Sequence, residues 1–255
     1  MNIDSLQRII LAVAQSQGLD SVLQMIVRGL AEQPDIALTR IWLIGPGDIC
    51  PSCPMRSVCP NQTRCLHLVA SAGNPMIEPG SEDRTREDWT RINGHFRRIP
   101  LNTPFKLGRI VTMGEPIQIR IHDEGGEQLW LSRPDWVKAQ KIRSFAGQPL
   151  IFRGEILGAL AVFSRTELSE HEFGWLRTFA DHAAVSITNV NTTEQIMALN
   201  TRVTAMAERW RSVFEKSAIG VALSDVNGRF LDVNRAYEEV LVTRRRNSGS
   251  CRSLT

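Results

Sequence analysis

The sequence predicts an α+β protein: an antiparallel sheet flanked by helices, then a long C-terminal coiled-coil helix and a partial hairpin. Three observations predict it. Short runs of β-favouring residues end at Gly- and Pro-containing turns, helical periodicity brackets them, and the pattern after Ser169 meets no proline before about Lys216. The chain has 255 residues, 42% of them hydrophobic and 22% charged, which suits one or two packed cores and not a disordered segment. A formal charge of +3 leaves no footprint for nucleic acid or anionic lipid. Met1-Asn2-Ile3-Asp4-Ser5 is no signal peptide, and no apolar run is long enough to span a bilayer, so the expected location is cytoplasmic, with no direct nucleic-acid or membrane partner.

From Asp4 to Glu32 apolar residues fall at helical spacing, with a break and fresh start at Gly18-Leu19-Asp20-Ser21. Leu38–Ile44 reads as a strand closed by Gly45-Pro46-Gly47, and a second strand begins at Cys65. Their connection is far longer than ordinary hairpin loops of 2–5 residues. It must be ordered by something or move. Asn74 to Glu87 is polar and reads as a surface excursion; a short strand near Phe96–Leu101 and a short helix through Leu107–Val111 follow. Ile117–Ile121 alternates as a half-buried strand does, Pro134–Lys141 is helical, and Ser144–Phe152 and Ile156–Ser164 form a hairpin about Arg153-Gly154-Glu155.

Ser169, with Glu172 three residues on, forms a capping box for the long helix. Within it Val185, Asn189, Thr192, Ile196, Leu199, Val203, Met206, Trp210 and Val213 alternate spacings of four and three, a coiled-coil seam that pairs the helix with a second copy of itself.

Ile142-Arg143-Ser144-Phe145-Ala146-Gly147-Gln148-Pro149-Leu150, with Gly154–Phe163 and Phe173–Ile187, resembles the closing segments of GAF domains, and Gly108–Pro116 resembles a middle segment of that family. Phe214–Asn234 resembles the opening of a PAS domain, with Asn227-Gly228 read as a two-residue hairpin turn. The resemblance implies a GAF domain over residues 1–190 with a four-cysteine insertion at 50–65, a signalling coiled coil at 191–212, a PAS fragment at 213–242 and a disordered tail at 243–255.

Cys50, Cys53, Cys59 and Cys65 crowd into that insertion, whereas Cys251 stands alone. Four thiolates suit zinc in a closed tetrahedral site and equally the irons of a cubane cluster, and the spacing chooses neither metal over free thiols or a reversible disulfide. His67, on the following strand, reads either as a further ligand or as a satisfied sheet histidine. If a GAF ligand pocket is present, Trp89, His95, Trp130, Trp136, Arg143 and Phe145 are its candidate lining. The Asn-Lys-x-Phe-Asp-Glu pattern of cyclic-nucleotide GAF domains and the bilin-attachment cysteine of phytochromes do not occur.

No phosphate-binding glycine loop or kinase segment is present, and Asp181 and His182 are sequence neighbours facing different ways on a helix, so no catalytic residues are assigned. The function expected is a non-enzymatic sensory input module, as in two-component signalling. It would bind a small molecule or gas, or an iron–sulfur or zinc cofactor, and relay its state through a dimeric helix to an output domain elsewhere. The alternatives are a GAF-type redox enzyme using its cysteines and a zinc-stapled dimerisation module.

Overall fold

The computed structural model describes residues 18–59, 61–76, 89–103, 105–121 and 133–248. Contacts divide the chain into two units, Met1–Asn191 and Thr192–Thr255. Helix α1 (Leu19–Ala31) opens the described part of the first unit, with Gly18 at its N-cap at a φ of 98°, a conformation that suits glycine. The expected start at Gly18-Leu19 is where the helix begins; the periodic residues before it lie outside the described ones, as does the polar excursion beyond Met76.

Six antiparallel strands follow: β1 (Ile36–Pro46), β2 (Arg64–Gly73), β3 (Arg98–Pro100), β4 (Ile117–Arg120), β5 (Ser144–Phe152) and β6 (Glu155–Ser164). They form one sheet in the order β3-β2-β1-β6-β5-β4. Arg153 and Gly154, both at positive φ, make the two-residue β5–β6 turn, the primed geometry that a tight hairpin requires. Helices α2 (Lys106–Met113) and α3 (Pro134–Ala139) interrupt the strands.

Strand β1 lies between β2 and β6 and is buried on both faces from Ile36 to Trp42. Alternation sorts its side chains. Ile41 joins Leu160 and Val162 of β6, Leu23 and Val27 of α1, and Ala180 and Ala184 in the main core. Trp42 faces the other way, with Phe145 of β5, Ala159 and Ala161 of β6, and Ile110 of α2. Close backbone approach fixes Gly158 of β6: a Cβ there would lie 2.0 Å from the Trp42 carbonyl oxygen.

Helix α4 (Glu170–Lys216) leaves the sheet with the predicted capping box formed. The Ser169 hydroxyl accepts from the Glu172 amide at 3.3 Å, and Glu172 Oε2 accepts from the Ser169 amide at 3.0 Å. The sheet holds its start: Gln118 of β4 donates to the carbonyl of Leu168, just before the helix, at 2.6 Å, and Gln148 of β5 to the Phe173 carbonyl at 3.2 Å. Along the predicted seam Ile196, Leu199, Val203, Met206, Trp210 and Val213 are 53% to 70% exposed in the single chain.

The second unit also holds a hairpin, β7 (Ala222–Ser224) and β8 (Phe230–Val233), and helix α5 (Arg235–Ser248). Its anchor is Asn234, fully buried, whose amide donates to the carbonyls of Phe214 and Ile219 at 2.9 Å while its oxygen accepts from the amides of Val221 at 2.8 Å and Tyr237 at 3.0 Å. All four hydrogen-bonding positions of the side chain are used, and the last bond caps α5.

Two sequence expectations are corrected here. The β7–β8 connection is a wider loop, Asp225 to Arg229, and not a two-residue turn: only Gly228 takes positive φ, and the Asp225 carboxylate accepts from the amides of Asn227 and Arg229. Helix α5 continues to Ser248, so the tail placed from residue 243 is helical in its first part; residues 249–255 lie outside the described ones. Replacing Asn234 by alanine is expected to cost about 2 kcal/mol, from a lost cap and buried partners left unsatisfied. Hydrogen exchange will show it as lost protection at Val221 and Tyr237 with β1 and β6 unchanged.

Candidate functional site

Two cavities in the first unit share the β1–β2 connection. That connection, residues 47–63, is folded back on itself by two 3-10 turns, Cys50–Ser52 and Arg56–Val58. Gly47 closes its base by donating to the Thr63 carbonyl at 2.8 Å, and Asn61 Oδ1 accepts from the amide and hydroxyl of Thr63. A Cβ on Gly47 would lie 2.0 Å from the Gln62 carbonyl oxygen and 2.8 Å from Cys50 Sγ, so the chain passes here only without a side chain.

Cys50, Cys53, Cys59 and Cys65 all line the smaller cavity, of about 20 Å³. No disulfide joins the four; Cys65 is buried and the others are partly exposed. Cys50 donates to the Gln62 carbonyl at 3.1 Å and Cys59 to that of Asn61 at 3.2 Å. Among the described residues, no three of these sulfurs lie within 4.8 Å of one another; the group that does is Asp48, Cys65 and His67. A single tetrahedral zinc ion, with bonds of about 2.3 Å, would draw its sulfurs to about 3.8 Å apart.

Arg56, Arg64 and Arg98 line the same cavity. Arg98 is tied to Asp48 through two bonds, Nε to Oδ1 at 2.8 Å and Nη2 to Oδ2 at 2.5 Å, and this pairing holds the Asp48 carboxyl well below the usual carboxylate range. Burial pushes the Cys65 thiol up to about 11, against the opposing charge of Arg98. A metal or cluster bound here would have to displace that proton. His67 Nε2 lies 2.7 Å from the Pro46 carbonyl oxygen and 3.8 Å from Asp48.

The larger cavity, about 100 Å³, lies on the Trp42 face of the sheet. Of the six expected lining residues, Trp89, Trp136 and Phe145 are on its wall. His95 and Arg143 are not: His95 packs edge-on against Phe96 at 5.0 Å, and Arg143 is exposed where its carbonyl and amide join Ile121 and Ser164. Trp130 lies outside the described residues.

The aromatic wall is continuous: Trp89 and Trp136 centroids are 4.9 Å apart, Trp136 and Phe163 5.4 Å, and Phe163 and Phe145 5.2 Å. Cations stand against these rings. Lys106 Nζ is 4.7 Å from the Phe145 centroid, Arg133 is 5.3 Å from Trp89, and Arg40, only 5% exposed, is 5.6 Å from Trp89 and bonds its carbonyl. Leu38, Arg40 and Trp42 reach this wall because they alternate along β1, a signal present in the sequence and not used for the pocket.

Met55 also was missed. It lies between Cys53 and Cys59, is 7% exposed and forms part of the aromatic cavity, while its neighbour Arg56 lines the cysteine cavity. The cysteine loop therefore supplies a wall to both.

The first unit is thus an antiparallel sheet with an aromatic cavity on one face and the start of the long helix packed on the other. The GAF domain profile matches residues 18–187, and the chain belongs to the GAF domain family. A PAS domain profile matches residues 208–249. Both are sensory domain types, so the chain is a signal-sensing module, and neither is a kinase or cyclase domain. No curated protein matches the chain. Among solved structures, the GAF domain of a phosphoenolpyruvate-protein phosphotransferase from Coxiella burnetii is 19% identical, with a TM-score of 0.53 over 76% of this chain and 96% of that one. Its counterpart from Acinetobacter is 17% identical, with a TM-score of 0.50 over the same shares. These likenesses show the fold alone. No helix among the described residues is long and apolar enough to cross a membrane.

Gly47→Ala should force the loop base open. The expected result is a loss of about 1–3 kcal/mol in chemical denaturation and faster reaction of the reduced loop cysteines with a thiol reagent.

Proposed function

We propose that this module senses through two coupled inputs. Cys50, Cys53, Cys59 and Cys65 hold an iron–sulfur cluster or zinc, and the aromatic pocket takes a small ligand. The state of both passes through α4, paired with α4 of a second chain, to an output domain. The observation that carries this reading is Met55: a residue of the cysteine loop buried in the wall of the pocket. Loss or oxidation of the cofactor would release the loop and withdraw that side chain. The pocket's Leu38, Arg40 and Trp42 belong to the strand whose other face packs on α1 and the start of α4, which gives the change a route to the helix.

The donor set fits a group held by four thiolates. Such a group carries net negative charge, and three arginines line its cavity, one of them, Arg98, already paired with Asp48 on the same wall. Four thiolates suit the irons of a cubane cluster and a tetrahedral zinc ion alike. A bound cluster would supply sensitivity to oxygen, nitric oxide or potential; the residues' own part is to hold it and tie its loop to the pocket. A cysteine-based redox enzyme is disfavoured because none of the four cysteines lines the aromatic cavity, so a substrate there would meet no thiol.

Anaerobic purification with metal and sulfide analysis and a visible spectrum tests the cofactor. Iron, sulfide and broad visible absorption that disappear in any of the four Cys→Ser variants are expected. Zinc without colour would make the loop a staple, and a metal-free protein would sink the cofactor half of the proposal. For the relay, Leu199→Glu and Val203→Glu together should convert a dimer to a monomer by light scattering, because two like charges would face each other in a seam. A wild-type monomer would refute the paired helix.

A further inference from the structure

We propose that Asp48, Cys65 and His67 form a divalent-cation site suited to zinc. It combines one of the four cysteines with two residues that the four-thiolate site leaves out, so the two sites share Cys65 and cannot both be filled. The inference does not depend on which group the four thiolates hold.

Convergence is the first observation. Among the described residues, these three side chains bring a carboxylate oxygen, a thiol sulfur and an imidazole nitrogen within 4.8 Å of one another, and no three of the four sulfurs do the same. Around zinc such atoms stand about 3.3–3.6 Å apart, given bonds of about 2.0–2.3 Å. His67 Nε2 and Asp48 Oδ1 are already 3.8 Å apart. The remaining closure is about an ångström, which side-chain rotation covers without a new backbone path.

Placement is the second. Cys65 and His67 are two residues apart on β2 and so share a face. Strand β1 pairs Gly45 with Cys65 and Pro46 with Arg64, so the chain carries Asp48 away from β1 alongside them. The His67 ring fills the space over Gly45, where a Cβ would lie 2.9 Å from Nε2. On β3, Arg98 stands opposite His67 and holds Asp48 in place.

The partners these residues already have leave room for an ion. A carboxylate offers about four lone-pair positions, of which Arg98 takes two, and an outer contact of that kind orients a ligating carboxylate. His67 Nε2 donates to the Pro46 carbonyl at 2.7 Å; with zinc at Nε2 that proton moves to Nδ1. The Cys65 thiol gives its proton to solvent, and no electrons are exchanged. The charge on zinc balances one carboxylate and one thiolate. Zinc accepts mixed nitrogen, sulfur and oxygen donors, and three protein ligands leave a fourth position open. Asp48 and Cys65 line the same cavity as Cys50, Cys53 and Cys59, so water or a loop thiolate can complete the tetrahedron. A chain that has lost a cluster would thereby offer Cys65 to zinc, and zinc would compete with reassembly.

The test is titration of the full chain, reduced and stripped of metal with a chelator, with cobalt as a spectroscopic stand-in for zinc. One cobalt per chain is expected, with the visible bands of a tetrahedral site and a thiolate charge-transfer band, all lost on adding zinc. His67→Ala and Cys65→Ser should each weaken binding by about a hundredfold and Asp48→Asn by about tenfold, whereas Cys50→Ser, Cys53→Ser and Cys59→Ser should each change it less than about threefold. Circular dichroism of each variant checks the fold. Binding that survives His67→Ala but is lost in each of the four Cys→Ser variants would overturn this site and leave the four-thiolate site standing. No cobalt or zinc bound by the wild-type chain would overturn it as well, and iron and sulfide in the anaerobic protein would still support the cluster.

Discussion

The alternation of strand β1 is the constraint on which the first unit depends. Flanked by β2 and β6 and buried on both faces, β1 has no solvent side on which to place a mistake. A shift of register by one residue would carry Ile41 into the pocket and Trp42 into the helix-packed core. Gly158 enforces the same register from β6, because any Cβ there meets the Trp42 carbonyl at 2.0 Å. Pocket and helix core are thus two sides of one object, and nothing can move Trp42 far without disturbing what packs on Ile41.

The cysteine loop is the second constraint, and it works differently. Its 3-10 turns, the Gly47–Thr63 closure and the Asp48–Arg98 pair give it a defined path without a strand or long helix of its own. Closing a connection of this length costs conformational entropy that grows only slowly with the number of residues. What a covalent or coordinate clip at the four thiols would add is restraint on the loop's interior, where Met55 sits, more than on its ends, which β1 and β2 already hold together.

Most of the fold was legible because it is written in local periodicity. The β5–β6 hairpin, the alternating strands, the Ser169 capping box and the restart at Gly18 are all short-range signals. The Asn227-Gly228 dipeptide alone does not specify its turn: the Asp225 side chain captures two amides and widens the loop, a choice made over five residues. The pocket was half legible. Trp89, Trp136 and Phe145 announce themselves as aromatics, but Arg40 and Lys106 look like surface residues in a sequence, and Met55 like filler between cysteines. Their burial is a tertiary fact, set by which face of β1 the loop folds over. His95 and Arg143 have suitable chemistry in the right sequence neighbourhood, but neither periodicity nor composition says which way such side chains turn.

Met55 also sets the scale of the coupling between loop and pocket. Burying a methionine side chain relative to leaving it exposed is worth about 1.5–3 kcal/mol. Coupling free energies between allosteric sites commonly run to about 1–3 kcal/mol. One side chain seated or unseated would therefore suffice, in magnitude, for the proposed link between the cysteine loop and the pocket. Linkage makes the traffic two-way: if a filled cysteine site seats Met55 and improves the pocket for its ligand, the ligand must tighten the cysteine site by the same factor. On the two-input reading, such a module would respond most strongly with both sites filled, because each would tighten the other through one thioether.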